Sequence, residues 1–167
     1  MEKIAGDMSG LLEETLGLYQ DLKSVLVTEK QYIKDMDVKN LWESTDRKKR
    51  LASALETVIS KIITSAKQYA VHFEMSVGNF MVRDVVSVLP LRMKVKSQLK
   101  ALGIRIDTCK KEISLLAYEN KRYLMEYLSV IDGIFATIRQ NSGMDQYSRS
   151  GRVYSPRENT SIINAEV

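Results

Sequence analysis

The sequence has few of the residues that interrupt helices. It contains 2 prolines and 8 glycines among 167 residues, and 1 cysteine. So little proline and glycine argues against a fold of many short strands joined by tight turns, and favours a few long helices. Because there is a single cysteine, no disulfide can form within the chain. We expect Cys109 to be a reduced, buried thiol.

Reactive side chains are also scarce. The single histidine, His72, and Cys109 lie 37 residues apart. They match neither a known metal-ligand spacing nor a nucleophile–base pair. The sequence has no glycine-rich phosphate loop, and its carboxylates are scattered over predicted helix surfaces. We therefore predict a protein that is not an enzyme and has no cofactor or metal ion.

The hydropathy pattern gives no sign of a membrane protein. No apolar run approaches the roughly 18 residues that a membrane-spanning helix needs. The first residues, Met1 to Asp7, lack the basic start and apolar stretch of a secretion signal. We expect a cytoplasmic protein without membrane insertion.

Charge is distributed unevenly. Residues 1–46 carry 5 Lys/Arg against 10 Asp/Glu, whereas residues 47–167 carry 20 against 11. Basic residues cluster between Arg47 and Arg50, and seven more lie between Arg92 and Lys111. A nucleic-acid surface usually adds exposed aromatic residues near such charges, and neither cluster has them. We interpret both as solvated helix faces and predict no nucleic-acid partner, with nucleic-acid binding through residues 92–111 as the alternative.

The longest predicted element is one unbroken helix over residues 91–141, directly after Pro90. Its apolar residues recur at alternating steps of four and three, which is a heptad seam. The seam consists of Val95, Leu99, Leu102, Ile106, Cys109, Ile113, Leu116, Asn120, Tyr123, Tyr127, Val130 and Ile134. Asn120 is its polar member: it either sets the register of the helices or presents its amide to a bound peptide.

After Asn120 the apolar face of this helix becomes wider. A second row is added beside the seam, formed by Leu124, Leu128, Ile131, Phe135 and Ile138. Such a face is wider than one neighbouring helix covers, so either more of the core or a partner protein packs there.

Two further long helices are predicted, over residues 2–36 and 38–77. Asp37 is placed to cap the second, and the short connection makes the two helices an antiparallel hairpin. The predicted core face of the second helix is formed by Leu41, Trp42, Leu51, Leu55, Val58, Ile59, Ile62, Ile63, Ala66, Tyr69 and Phe73. Periodicity does not decide whether residues 79–89 form a short helix or an extended link.

The fold class that follows is all-α. We predict three long antiparallel helices in a bundle or coiled-coil arrangement over residues 1–141. Residues 142–167 are polar and without periodicity, so we predict a flexible C-terminal tail with a short apolar end.

Three sets of residues resemble a known family. The first spans the end of helix 1 and the start of helix 2, and includes Leu22, Leu26, Glu29, Ile33, Asp37, Leu41, Lys49, Leu55 and Glu56. The second is Asn120 followed by the leucine- and isoleucine-rich stretch to Ile138. The third is the tail, with Tyr147, Gly151, Ile162, Ile163 and Val167. In this order, over most of the chain, they resemble the FlgN-type flagellar export chaperones, although the valine-rich segment 80–89 does not match the pattern.

The resemblance implies a cytoplasmic chaperone for the hook-associated proteins of the hook–filament junction. It would bind their C-terminal helical region, prevent premature association and deliver them to the flagellar type III export gate, without binding a nucleotide. The tail would fold onto the substrate or dock on the gate. We predict that the partner-binding residues are Asn120, Leu124, Leu128, Ile131, Ile134, Phe135, Ile138, Tyr147, Gly151, Ile162 and Ile163.

The same apolar residues allow a second hypothesis. A structural coiled-coil protein would bury the surplus face of its long helix in a homodimer. Because the leucines serve both functions equally well, the sequence leaves this alternative open, including a homodimer of the free chaperone.

Overall fold

The computed structural model describes residues 2–69, 74–142, 146–147 and 153–154. In chain order its elements are α1 (Glu2–Lys34), α2 (Val38–Lys67), a 3-10 turn (Val77–Asn79), α3 (Val82–Val88), α4 (Met93–Ser142), β1 (Gln146–Tyr147) and β2 (Val153–Tyr154). The chain forms two compact units, Met1–Leu124 and Met125–Val167.

The all-α class is confirmed, and the division into a 1–141 bundle and a 142–167 tail stays a prediction. Among the described helices, none has the length and apolar character of a membrane span.

The hairpin of α1 and α2 turns over residues 35–37. Met36 adopts a left-handed conformation, with φ of 53°. The Asp37 carboxylate accepts a hydrogen bond from the backbone N–H of Asn40 at 3.1 Å. This bond, together with one from the Asn40 side chain, lowers the pKa of Asp37. The predicted break and the predicted cap are both confirmed.

The long helix α4 runs beside α1 in the same direction. Lys23 donates to Glu112 and Lys30 donates to Glu119, both at 2.9 Å. From one pair to the next, both helices advance by seven residues, which requires them to be parallel. The predicted antiparallel arrangement therefore holds between successive long helices, while the first and the last of them are parallel.

The bounds of α1 and α4 are close to the predicted ones, but α2 is ten residues shorter. It ends at Lys67 rather than at residue 77. Apolar residues beyond this point had suggested that the helix continues. Met75 and Val77 do pack against the core, but they reach it from irregular structure and the 3-10 turn. Apolar residues at helical spacing can therefore also belong to an irregular segment that covers the core.

The predicted core face of α2 is confirmed in its second half and wrong at two aromatic residues. Leu55, Val58, Ile59, Ile62, Ile63 and Ala66 are buried. Trp42 is 68% exposed and Tyr69 is 40% exposed. A helix turns about 100° per residue, which places Trp42 about 140° around α2 from Leu55. Phe73 lies outside the described residues.

The undecided segment 79–89 contains α3, which closes the core of the first unit. Val82, Val85 and Val86 are buried, as are Phe80 and Leu89 on either side. Two lysines of α4 hold this segment: Lys96 Nζ donates to Ser87 O at 3.1 Å, and Lys110 Nζ donates to Phe80 O at 3.2 Å. Burial of the valines offsets their weak helix preference.

The core of the first unit combines residues from all four helices. Its buried members are Met8, Leu12, Leu16, Val58, Ile59, Ile62, Ile63, Ala66, Phe80, Val82, Val85, Val86, Leu89, Leu99 and Ile106. The apolar faces of α1 and α4 therefore both contribute to this core.

The contact of α3 with α4 depends on Gly103. A Cβ added to Gly103 would lie 2.9 Å from both Cβ and Cγ1 of Val82. We expect Gly103→Ala to lower the free energy of unfolding by about 1–2 kcal/mol, because overpacking outweighs the better helix propensity of alanine. Urea denaturation followed by circular dichroism measures this change.

Gly10→Ala in α1 is the matched control. A Cβ at Gly10 meets no atom within 4 Å, so the control should be neutral or stabilising by up to about 1 kcal/mol. If both variants were stabilised equally, the close packing of Val82 on Gly103 would be contradicted.

Candidate functional site

A buried polar layer joins α1, α2 and α4. Asn120 is 4% exposed and Glu29 is 7% exposed. The Asn120 amide nitrogen donates to Leu26 O at 2.8 Å and to Glu29 Oε2 at 3.0 Å. Lys48 of α2 donates to the other oxygen of Glu29. Each of the three long helices thus contributes one polar side chain to a single network.

This geometry favours the register-setting role of Asn120 over the presentation of its amide to a peptide. The amide group is turned inward, and its nitrogen is occupied by two acceptors of α1. Asn120 Oδ1 is buried without a hydrogen-bond partner among the described residues. The prediction that Asn120 also contacts a partner stays a prediction.

Two ion pairs on the surface agree with the same alignment of α1 and α4. The pKa of Lys23 is raised by its hydrogen bond with Glu112, and that of Lys30 by its hydrogen bond with Glu119. In return, Lys30 lowers the pKa of Glu119. These side chains are solvent-accessible, so we assign them little stability. They do fix which residue of α4 lies beside which residue of α1.

The residues of the α4 seam differ in burial along its length. In the first unit, Leu99, Ile106, Cys109 and Asn120 are buried. In the second unit, Val130 and Ile134 of the same seam are exposed. Burial also raises the pKa of the Cys109 thiol, and the predicted buried position of this cysteine is confirmed.

The second unit therefore displays the predicted wide apolar face. Its five members, which we call the apolar face, are between 40% and 55% exposed: Leu128, Ile131, Ile134, Phe135 and Ile138. Leu124, the last residue of the first unit, is 43% exposed. Large side chains are seldom this accessible as a group, and such patches mark protein–protein contact.

The tail residues of the predicted site are only partly described. Tyr147 belongs to β1 and pairs with Val153 of β2 in an antiparallel ladder, next to Gln146 opposite Tyr154. Gly151, Ile162 and Ile163 lie outside the described residues, as does His72.

Sequence reasoning missed two members of the polar layer. Glu29 was named only among the residues that resemble the family, and Lys48 only as part of a basic cluster. The available signal was that Glu29 and Asn120 each stand at a seam position, where an unpaired polar group would be costly. Within the described ranges, no group of three His, Cys, Asp or Glu residues is arranged to hold a metal ion.

The described fold is an all-helical one, with a hairpin of α1 and α2 and a long helix α4 that exposes apolar side chains in the second unit. A family model described as FlgN protein matches residues 1–155. The chain belongs to the FlgN family and is a flagellar export chaperone. Comparisons with curated proteins and with solved structures gave no match.

The polar layer makes a quantitative prediction. Asn120→Ala removes two hydrogen bonds and deprives the buried Glu29 Oε2 of its Asn120 donor. We expect the free energy of unfolding to fall by about 2 kcal/mol, measured by urea denaturation. The control is Gln98→Ala, an exposed position on the same helix, which should change it by less than about 0.5 kcal/mol. Equal values for the two variants would contradict the structural role of Asn120.

Proposed function

We propose that this flagellar export chaperone binds the C-terminal helical region of hook-associated proteins in the cytoplasm. In this proposal it shields that region from premature association and delivers the protein to the type III export gate. Membership of the FlgN family supports the general function. The finer assignment of substrate and route is our proposal.

The observation that carries the proposal is the apolar face in the second unit. Leu128 and Ile131 are three residues apart, as are Ile131 and Ile134. Phe135 and Ile138 continue the same side of α4 because residues three and four apart are helix neighbours. All five side chains are exposed. A chaperone with this face can receive the apolar side of a substrate helix.

An amphipathic helix is the substrate element that fits such a face. Its apolar residues at three- and four-residue spacing would lie along α4, as in other helix-in-groove complexes. Hook-associated proteins would otherwise use the same apolar residues to associate with one another. Covering them explains why binding prevents premature assembly.

The tail is proposed to act in delivery. Tyr147 and Gly151, with the apolar end at Ile162 and Ile163, would dock on the export gate or fold onto the bound substrate. A segment that orders only on binding lowers the affinity and allows release, as a delivery protein requires. The order of these residues in the sequence supports this part of the proposal.

Homodimerisation through the apolar face is the competing hypothesis. The exposure of Leu128, Ile131 and Phe135 suits a second copy of the chain as well as a substrate helix. Sedimentation of the free protein distinguishes the two, because a tight dimer would occupy the face.

Replacing a central residue of the face tests the substrate site. Leu128→Asp puts a charge where an apolar contact is proposed. We expect the affinity for the C-terminal helices of the hook-associated proteins to fall by about 3 kcal/mol, about a hundredfold. Co-expression, size-exclusion chromatography and calorimetry measure the loss.

Val27→Asp is the matched control, because Val27 in α1 is 52% exposed, as is Leu128. It should leave the affinity unchanged, and both variants should keep the helicity of the parent. Normal binding by Leu128→Asp and also by Ile131→Asp would show that the face does not receive the substrate.

Removal of residues 142–167 tests the tail. We expect the truncated protein to keep the unfolding transition of its helices, because among the residues whose burial the structure describes none beyond Cys109 is buried except Asn120. Substrate binding or export should weaken. The measurements are thermal unfolding by circular dichroism and secretion of the hook-associated proteins in cells.

The control is a full-length chain in which Ser142 is replaced by alanine. Secretion at the parental level by the truncated protein would contradict a role of the tail in delivery. A loss of helicity larger than the share of the removed residues would show that the helices depend on the tail.

A further inference from the structure

The outer side of α4 in the first unit carries a second set of exposed apolar residues. Met93, Ile104, Leu115 and Tyr118 are between 60% and 81% exposed. At about 100° per residue, these four positions fall within an arc of about 60°. The arc is opposite the buried seam of Leu99, Ile106 and Asn120, so it is separate from the core.

The charges within this arc have one sign. Lys100 and Lys111 fall inside it, and no Asp or Glu between residues 93 and 121 does. Neither lysine has an ion-pair partner among the described residues. Two other lysines of α4, Lys96 and Lys110, are engaged with backbone carbonyls of the α3 segment.

The carboxylates of the same stretch do not neutralise the arc. Glu112 and Glu119 turn to α1, where they pair with Lys23 and Lys30. Asp107 falls about 20° outside the arc. The outer side of α4 is therefore an apolar row with a positive charge, which we call the outer stripe: Met93, Lys100, Ile104, Lys111, Leu115 and Tyr118.

We propose that the outer stripe is a docking surface for an acidic amphipathic α-helix of another protein. Apolar residues of that helix would contact Ile104, Leu115 and Tyr118, while its Asp or Glu residues would pair with Lys100 and Lys111. The stripe extends over about 38 Å, which corresponds to a partner helix of about 25 residues. This site is distinct from the apolar face, so it serves a partner other than the proposed substrate.

Charge complementarity selects this occupant over two others. In a parallel pairing with a second copy, or in an antiparallel one centred midway between Lys100 and Lys111, lysines would approach lysines, and like charges disfavour such a pair. Nucleic-acid backbones would satisfy the lysines but not the exposed Ile104, Leu115 and Tyr118, which gain nothing from contact with phosphate. An acidic amphipathic helix satisfies both kinds of side chain.

Two synthetic peptides test the proposal on the full-length chain. Both are 25-residue helices with leucine at the heptad a and d positions; one has glutamate at the flanking positions and the other lysine. We expect the glutamate peptide to bind at least about tenfold more tightly in calorimetry. It should shift the amide resonances of residues 104–118 in nuclear magnetic resonance spectra.

Variants of the stripe make the test specific. Lys100→Glu combined with Lys111→Glu should weaken the glutamate peptide at least about tenfold and strengthen the lysine peptide. Leu115→Ser combined with Tyr118→Ser should weaken both peptides. The matched control is Lys61→Glu with Lys67→Glu, two exposed positions of α2, which changes the net charge equally and should leave the preference intact.

Several results would overturn the proposal. These are absence of binding, equal affinity for both peptides, tighter binding of a DNA or RNA duplex, resonance shifts confined to residues 128–138, or self-association of the free chain that the stripe variants abolish. Leu128→Asp should leave binding of the glutamate peptide unchanged. A failure of the proposed substrate site is thus separable from a failure of this one.

Discussion

The buried contact between the Asn120 amide and the Glu29 carboxylate is the constraint on which the helix packing depends. Apolar heptad seams can slide by seven residues and still pack, since each leucine then meets another leucine. A buried carboxylate has no such freedom, because leaving it without donors is costly. Asn120 and Lys48 supply those donors in one alignment of α1, α2 and α4. The pairs Lys23–Glu112 and Lys30–Glu119 follow from it.

The long helix α4 contributes to the core in the first unit and also exposes apolar side chains. In the first unit the seam of α4 packs against α1 and α2. The α3 segment completes the core and lies against Gly103. The exposed apolar residues lie elsewhere on α4, in the second unit and on the outer side. The buried core and the exposed apolar residues of α4 are therefore formed by different side chains.

Much of the fold was accessible from the sequence because it depends on local chemistry. The scarcity of proline and glycine favours long helices, and the heptad seam of α4 and the Asp37 cap each act over a few residues. The bounds of α1 and α4 and the start of α2 lie near the predicted positions. The wide apolar row from Leu128 to Ile138 was also visible in the sequence, which left open whether the core covers it; in the structure these side chains are exposed. The end of α2 was not predicted, because Met75 and Val77 reach the core without being helical.

What the sequence by itself determined is the all-α class, the heptad seam of α4 and its polar member Asn120. Only the tertiary structure shows that Trp42 is exposed, that Lys48 pairs with Glu29, and that residues 82–88 form a helix. It also decided that Leu115 and Tyr118 line an outer side rather than a core. The physical reason is that a side chain on an amphipathic helix is buried only where another part of the chain packs against it. Contacts between residues that are distant in sequence form only in the folded protein.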